Sequence, residues 1–299
     1  MDTRHTRPAP IEFHGAGGVK LAGDRWCPAN DRVRASTDET VLLLHGGGQT
    51  RHSWDRTAAR LSQCGWHTVT LDARGHGDSE WAPEYSAELF AEDLQIVLEN
   101  LGGRTVVVGA SLGGRTGLIV AGEGSDQMAG LVLVDITHRV DRLGQRRIRD
   151  FLDAAPAGFA SLDDASRAIA AFRGERRQPR TSSGLRKNLR LRDNGRWYWH
   201  WDPAFVNYAD NSHNSDEHGL AALAARIALP TLIVRGSRSE IVPPEAVDEL
   251  LALVPGSVAV EVDAGHMIAG DDNGPFALHL ENFLDRIFRE GQTLASSDV

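Results

Sequence analysis

The residues best suited to chemistry lie in one stretch, Val106 to Gly114, which reads Val-Val-Val-Gly-Ala-Ser-Leu-Gly-Gly. Thr105 to Val108 are β-branched, and apolar enough for a strand buried on both faces. Leu118, Ile119 and Val120 follow in a helical setting. Ser111 is thereby expected on a sharp strand-to-helix turn, within Gly109-Ala-Ser-Leu-Gly113. That spacing and context make a nucleophile elbow, in which the serine holds a strained backbone and presents its hydroxyl to an open space. Glycine is needed on either side because a side chain there would strike the neighbouring strand or helix. The chemistry this predicts is attack of Ser111 on an acyl carbonyl. A serine hydroxyl is a poor nucleophile at neutral pH, so a base must stand within hydrogen-bond reach. The base in turn needs a carboxylate to fix its tautomer, and the oxyanion needs N–H donors.

The elements that must position such a site follow in a regular alternation. Ile11–His14 and Val19–Trp26 flank Gly-Ala-Gly-Gly and predict a hairpin at a sheet edge. Val41–His45, His67–Asp72, Leu131–Ile136, Thr231–Gly236 and Val258–Val262 are short apolar runs that predict further strands, mostly parallel and buried. Between them, Ser53–Cys64, Ser86–Leu101, Pro244–Leu253 and Pro275–Glu290 show helical patterning. Strands alternating with helices give an α/β fold with an open, mostly parallel sheet. Residues 139–226 break this rhythm with many charges, short amphipathic stretches and the aromatic run Trp197-Tyr-Trp-His-Trp201.

With these motifs in place the chain resembles the α/β-hydrolase superfamily over nearly its whole length, the segment 139–226 excepted. The resemblance implies a central sheet flanked by helices, with a helical cap inserted after the sixth strand. It divides the chain into a core from 1–138 and 227–299 and a cap from 139–226. It implies oxyanion donors from Gly47, in the His45-Gly-Gly-Gly-Gln-Thr50 loop, and from Leu112, next to the nucleophile. It places the base at His266, in Asp263-Ala-Gly-His-Met267 after the last strand. Ala73-Arg-Gly-His-Gly-Asp-Ser79 resembles a structural turn of the superfamily, so His76 and Asp78 are expected to support the fold rather than react.

The acid has two candidates. Relatives commonly carry it after the penultimate strand, where this chain has Arg235-Gly-Ser-Arg-Ser-Glu-Ile-Val-Pro243. Ser239 stands at that position and Glu240 is displaced by one residue, which in a tight turn can reverse the side-chain direction. Other relatives place the acid at the end of the strand after the nucleophile. Asp135 is there, 135 − 111 = 24 residues after Ser111. Asp135 is the preferred reading and Glu240 the alternative.

Together these residues predict a cofactor-free, metal-free serine hydrolase acting on a small to medium, largely apolar ester. Trp197, Trp199 and Trp201 are expected to form cap core, a substrate wall, or both. A serine at the elbow argues against reactions that use a carboxylate nucleophile in this fold. Relatives with the same constellation also cleave carbon–carbon bonds, form peracids, run cofactor-free oxygenation or serve as ligand receptors, so fold alone does not fix the reaction.

The bulk composition agrees with such an enzyme. The 299 residues carry a net charge of −9, with 41% apolar and 24% charged residues, and lysine only at Lys20 and Lys187. That balance argues against nucleic acid or anionic membranes as partners. Cys27 and Cys64 are expected reduced, and the absence of a long apolar run points to a cytoplasmic protein with a small-molecule substrate. Asp210, His213, Asp216 and His218 could ligate metal, but their spacing fits no standard zinc site. The arginines of 142–149 and 173–192 alternate with carboxylates and polar residues, which reads as a solvated face.

Overall fold

Ten strands organise the chain in a computed structural model that describes residues 8–28, 38–173, 183–206, 217–268 and 274–295. They are β1 (Ala9–His14), β2 (Lys20–Trp26), β3 (Glu39–Leu44), β4 (His67–Leu71), β5 (Arg104–Ala110), β6 (Met128–Val134), β7 (Leu189–Leu191), β8 (Trp197–Trp199), β9 (Thr231–Gly236) and β10 (Val258–Val262). Eight of them make one sheet in the order β1-β2-β4-β3-β5-β6-β9-β10. The β1–β2 hairpin and the β2–β4 pair are antiparallel, and every other pair is parallel.

The alternation of side chains along the central strands divides the core in two. Val41 and Leu43, Val106 and Val108, and Val132 and Val134 face one layer. There they meet α1 (Asp55–Gln63) through Ala58 and Leu61 and the closing helix through Phe276, Leu280 and Leu284. Leu42, Val107, Leu131 and Leu133 face the other layer. They pack there against α2 (Ala87–Leu101) and α3 (Leu112–Glu123). Strands covered on both faces need apolar residues at every position, which is why β3, β5 and β6 read as unbroken apolar runs.

Between β6 and β9 the chain leaves the sheet. It forms α4 (Arg142–Asp153), α5 (Leu162–Arg173), a 3₁₀ turn at Ser183–Lys187, the β7–β8 ribbon and α6 (Glu217–Ala224). The ribbon is an addition to the helices expected of this segment. Its strands are three residues long and turn through Gly195, whose φ is +73°, too short a pattern to stand out by periodicity. α7 (Pro244–Leu253) and α8 (Gly274–Ala295) complete the core. Among the described residues no helix is long and apolar enough to cross a membrane.

The elbow depends on close backbone approach. A Cβ built on Gly113 would lie 2.5 Å from Leu44 Cβ and 2.7 Å from its carbonyl oxygen. One built on Gly109 would lie 2.4 Å from the Gly113 carbonyl. Neither backbone can yield without parting β5 from α3 or α3 from β3. Gly113→Ala is therefore expected to lower the unfolding free energy by roughly 2–3 kcal/mol, the upper range for overpacking, measured as a shifted urea midpoint.

Candidate active site

Parallel strands bring their C-terminal ends to one edge of the sheet, and the loops that leave β3, β5, β6, β9 and β10 gather there. Ser111 follows β5 directly and caps α3 with φ +47° and ψ −108°. Its N–H is tied to the Val134 carbonyl at 3.2 Å, and its own carbonyl accepts from Arg115 N–H at 2.9 Å. The strained serine is thus fixed from both sides.

Directly after β6 stands the other non-glycine residue with positive φ among the described residues, Asp135, at φ +50°. The expected strand ran on to Ile136, but the chain turns at Asp135 and swings its carboxylate sideways to β9. That carboxylate is fully buried and takes three donors. Gly236 N–H donates to Oδ1 at 2.8 Å, while the Ser239 hydroxyl and His266 Nδ1 reach Oδ2 at 2.5 Å and 2.7 Å. Since a carboxylate only accepts, Nδ1 carries the proton and Nε2 is left as the basic nitrogen. Ser239 is itself oriented by the N–H groups of Ile241 and Val242, at 3.2 Å and 3.1 Å. Glu240 is not brought to the histidine. It stands 61% exposed and pairs with Arg147 of α4. The one-residue displacement points it outward.

The loop after β3 is gripped at two of its three glycines. Gly46 N–H donates to Gln49 Oε1 at 3.1 Å and Gly48 N–H to His76 Nε2 at 3.2 Å. The Gly113 N–H goes to the His45 carbonyl at 3.2 Å. Among the described residues, those bonds leave the N–H groups of Gly47 and Leu112 without an acceptor. A Cβ on Gly47 would lie 4.0 Å from Leu112 Cβ, so the two segments are neighbours.

Both histidines that hold this loop are neutral. His45 accepts from Ala73 N–H at Nε2 and bonds the Gly46 carbonyl through Nδ1. His76 bonds the Arg74 carbonyl through Nδ1 while Nε2 takes Gly48. Each ring therefore needs one bare nitrogen, and burial disfavours a second proton on either. His45 is shifted below the usual histidine range, and His76 is pulled down to about 3, chiefly by burial and then by the neighbouring His45. The His76 ring also meets Phe205 edge-on at 4.5 Å. The turn around His76 was legible as structural, but its bond to the glycine loop carries no sequence signature.

Ser111, His266, Gly47 and Leu112 all border one cavity of about 600 Å³. Trp199 and Trp201 line it too, stacked at 4.8 Å and 13°. Trp197 does not line it. Its backbone bonds Phe159 in both directions, and Arg186 covers its ring at 5.2 Å. Asp210, His213 and Asp216 lie outside the described residues, as does the side chain of His218. Among the described residues of the arginine-rich stretches, Arg147 pairs with Glu240 and Arg190 with Asp78.

The model of the α/β-hydrolase fold family matches residues 39–272. The chain belongs to the α/β-hydrolase family. An esterase of Mycobacterium tuberculosis is 33% identical to this α/β-hydrolase over 223 residues, which is 70% of either chain. A lipase of the same organism is 30% identical over 252 residues, covering 79% of this chain and 90% of that one. A crystal structure of a Mycobacterium tuberculosis esterase superposes with a TM-score of 0.71 at 27% identity, over 93% of this chain and 92% of the other. With such relatives, this α/β-hydrolase is an enzyme of the hydrolase class.

The neutral histidines give the α/β-hydrolase an acid sensitivity of known sign. A histidine with a depressed folded pKa binds its proton in the unfolded chain first, so acid favours unfolding. His76 should thus cost stability progressively as the pH falls from about 6.5, the ordinary value, toward about 3. His76→Gln keeps an acceptor for Gly48 but does not titrate. Its melting temperature is expected to fall less between pH 6.5 and pH 4 than that of the wild type, in a calorimetric pH series.

Proposed function

We propose that the protein is a cofactor-free carboxylic ester hydrolase working through Ser111, His266 and Asp135, with Gly47 and Leu112 as oxyanion donors. The observation that carries this reading is the buried Asp135 carboxylate on His266 Nδ1 at 2.7 Å, beside a cavity that Ser111 also borders. The esterase and lipase relatives support ester chemistry in particular.

In this mechanism the Ser111 hydroxyl attacks the acyl carbon and passes its proton to His266 Nε2. The carbonyl oxygen takes up the negative charge against the two free N–H groups, and a donor of that kind is worth about 10²–10³ in kcat. Collapse releases the alcohol, protonated by His266, and leaves an acyl group on Ser111. Water then attacks that ester with His266 again as base, which restores the serine. Asp135 keeps the imidazole in the tautomer that has Nε2 bare, and stabilises the imidazolium. Apo hydrogen bonds of this kind commonly tighten only when substrate is bound.

The proposal includes the division of the chain. Residues 139–226 serve as a cap over a core made of 1–138 and 227–299. In support, Phe151, Leu152, Trp199 and Trp201 of that segment line the same cavity as Ser111, Gly47 and His266. The apolar cap side suits the hydrocarbon part of an ester.

Hydrolysis of p-nitrophenyl valerate by single variants tests the assignment. Ser111→Ala is expected to lower kcat by roughly 10⁴-fold or more, and Asp135→Asn by a factor of the order of 10⁴. Glu240→Gln should remain near wild type. Loss of activity in Glu240→Gln with Asp135→Asn intact would reverse the choice of acid.

A further inference from the structure

The N-terminus of α4 lies against the turn that orients the acid. Gly144, in the first turn of the helix, is buried, and a Cβ built there would fall 2.1 Å from the Glu240 carbonyl oxygen and 2.9 Å from its carbon. Glycine is among the poorest helix formers and alanine the best, so helix propensity does not account for glycine at this place. Close approach to that carbonyl does. One residue further along, the Ile241 carbonyl accepts from the Asp141 N–H at 2.7 Å. Asp141 also caps the helix, its Oδ1 taking the N–H groups of Leu143 and Gly144 at 2.9 Å and 2.8 Å.

Those two carbonyls belong to the peptide units whose N–H groups hold Ser239. The unit with the Glu240 oxygen carries the Ile241 N–H, and the unit with the Ile241 oxygen carries the Val242 N–H. A trans peptide is a rigid plane, its C=O and N–H pointing in opposite directions. Each plane here has its oxygen against α4 and its N–H on Ser239 Oγ, at 3.2 Å and 3.1 Å. A hydroxyl has two lone pairs and one proton. With both lone pairs taken, the proton has a single destination, Asp135 Oδ2 at 2.5 Å. His266 Nδ1 binds the same oxygen at 2.7 Å. Tilting either plane at its oxygen moves its N–H, and with it the hydroxyl that fixes the carboxylate.

We propose that Gly144 and Asp141 are positioning residues for the triad, acting through those two peptide planes and Ser239 on Asp135 and His266. This rests on the ester-hydrolase reading above and deepens it. Only backbone atoms of Glu240 and Ile241 take part. The helix borders the cavity through Ile148, Phe151 and Leu152, and it bears on the acid although it carries none of the reacting groups. The alignment of the acid matters to the imidazolium formed during the reaction and not to binding of the ester, so the effect falls on kcat.

Gly144→Ala places a Cβ on the Glu240 carbonyl. It is expected to lower kcat for p-nitrophenyl valerate by roughly 10–10²-fold, the scale of a small displacement of the reacting groups, with KM within about twofold of wild type. Ser239→Ala should show a loss of the same kind. Adding Gly144→Ala to Ser239→Ala should change kcat by less than about threefold, because the link is already cut. Asp141→Ala and Asp141→Pro both remove the cap, and φ −67° at Asp141 admits proline, but only proline takes the N–H from Ile241. Asp141→Pro is expected to lose kcat beyond Asp141→Ala, and this pair decides the matter if Gly144→Ala does not fold. Unchanged kcat in folded Gly144→Ala, a loss carried by KM, equal losses on the wild-type and Ser239→Ala backgrounds, or equal kcat in the two Asp141 variants overturns the proposal. A readout without turnover is the ¹⁵N spectrum of the His266 ring, whose tautomer signals should move in Gly144→Ala as they do in Ser239→Ala. If they move while wild type cleaves no ester, the positioning role stands and the hydrolase reading fails alone. If ester is cleaved and neither kcat nor the His266 signals respond to Gly144→Ala, the positioning role fails and the hydrolase reading stands.

Discussion

The buried carboxylate of Asp135 is the constraint on which the rest of the structure turns. A full negative charge with no exposure to water is tolerable only if donors surround it, and here three do: a backbone N–H, a hydroxyl and an imidazole. Each donor comes from a different part of the C-terminal portion of the chain. Gly236 ends β9, Ser239 sits in the turn beyond it, and His266 follows β10. One buried charge thus sets the end of β6, the shape of the β9 turn and the tautomer of the histidine together. The left-handed backbone at Asp135 is part of the same arrangement, because an extended residue there would aim the carboxylate out of the plane of the sheet.

A second set of contacts disciplines the glycine loop. Three successive glycines would leave the backbone free to wander, and neutral imidazoles on one side with Gln49 on the other remove that freedom. The turn that supplies His76 is itself tied to the segment between β6 and β9. Gly77 N–H donates to the His200 carbonyl and Asp202 N–H to that of Gly75, both at 2.7 Å. The glycine loop and the stretch that carries Trp201 are held by the same three residues, Gly75 to Gly77.

Much of this was legible in the sequence, for physical reasons that can be named. Strands covered on both faces cannot hide their apolar runs, and a residue pinned between two glycines at a strand end advertises a tight bend. Gly47, Leu112, Ser111 and His266 could be placed at the site edge from those signals together with the family resemblance. Asp135 could be preferred over Glu240 because it ends the strand after the nucleophile and Ser239 stands in the usual acid position; sequence spacing says nothing of where a turn residue points. The ends of β6 were misjudged by about three residues at its start and two at its finish, since φ at Asp135 is imposed by the partners of its side chain and not by its type. The β7–β8 ribbon rests on strands of only three residues about the Gly195 turn, and the position of Trp197 depends on pairing with Phe159, 38 residues before it in the chain.

The placement of the carboxylate on β6 has a topological consequence. Ser111 and Asp135 both precede the segment between β6 and β9, directly after adjacent strands whose mutual register is fixed by the sheet. His266 alone must cross from the far side of it. The entropy of closing a long loop grows only with the logarithm of its length, so residues 139–226 could lengthen or shrink with little thermodynamic penalty to that one crossing. The serine and the buried charge thus sit together before the long excursion of the chain, and a change of length between β6 and β9 bears on the return of His266 alone.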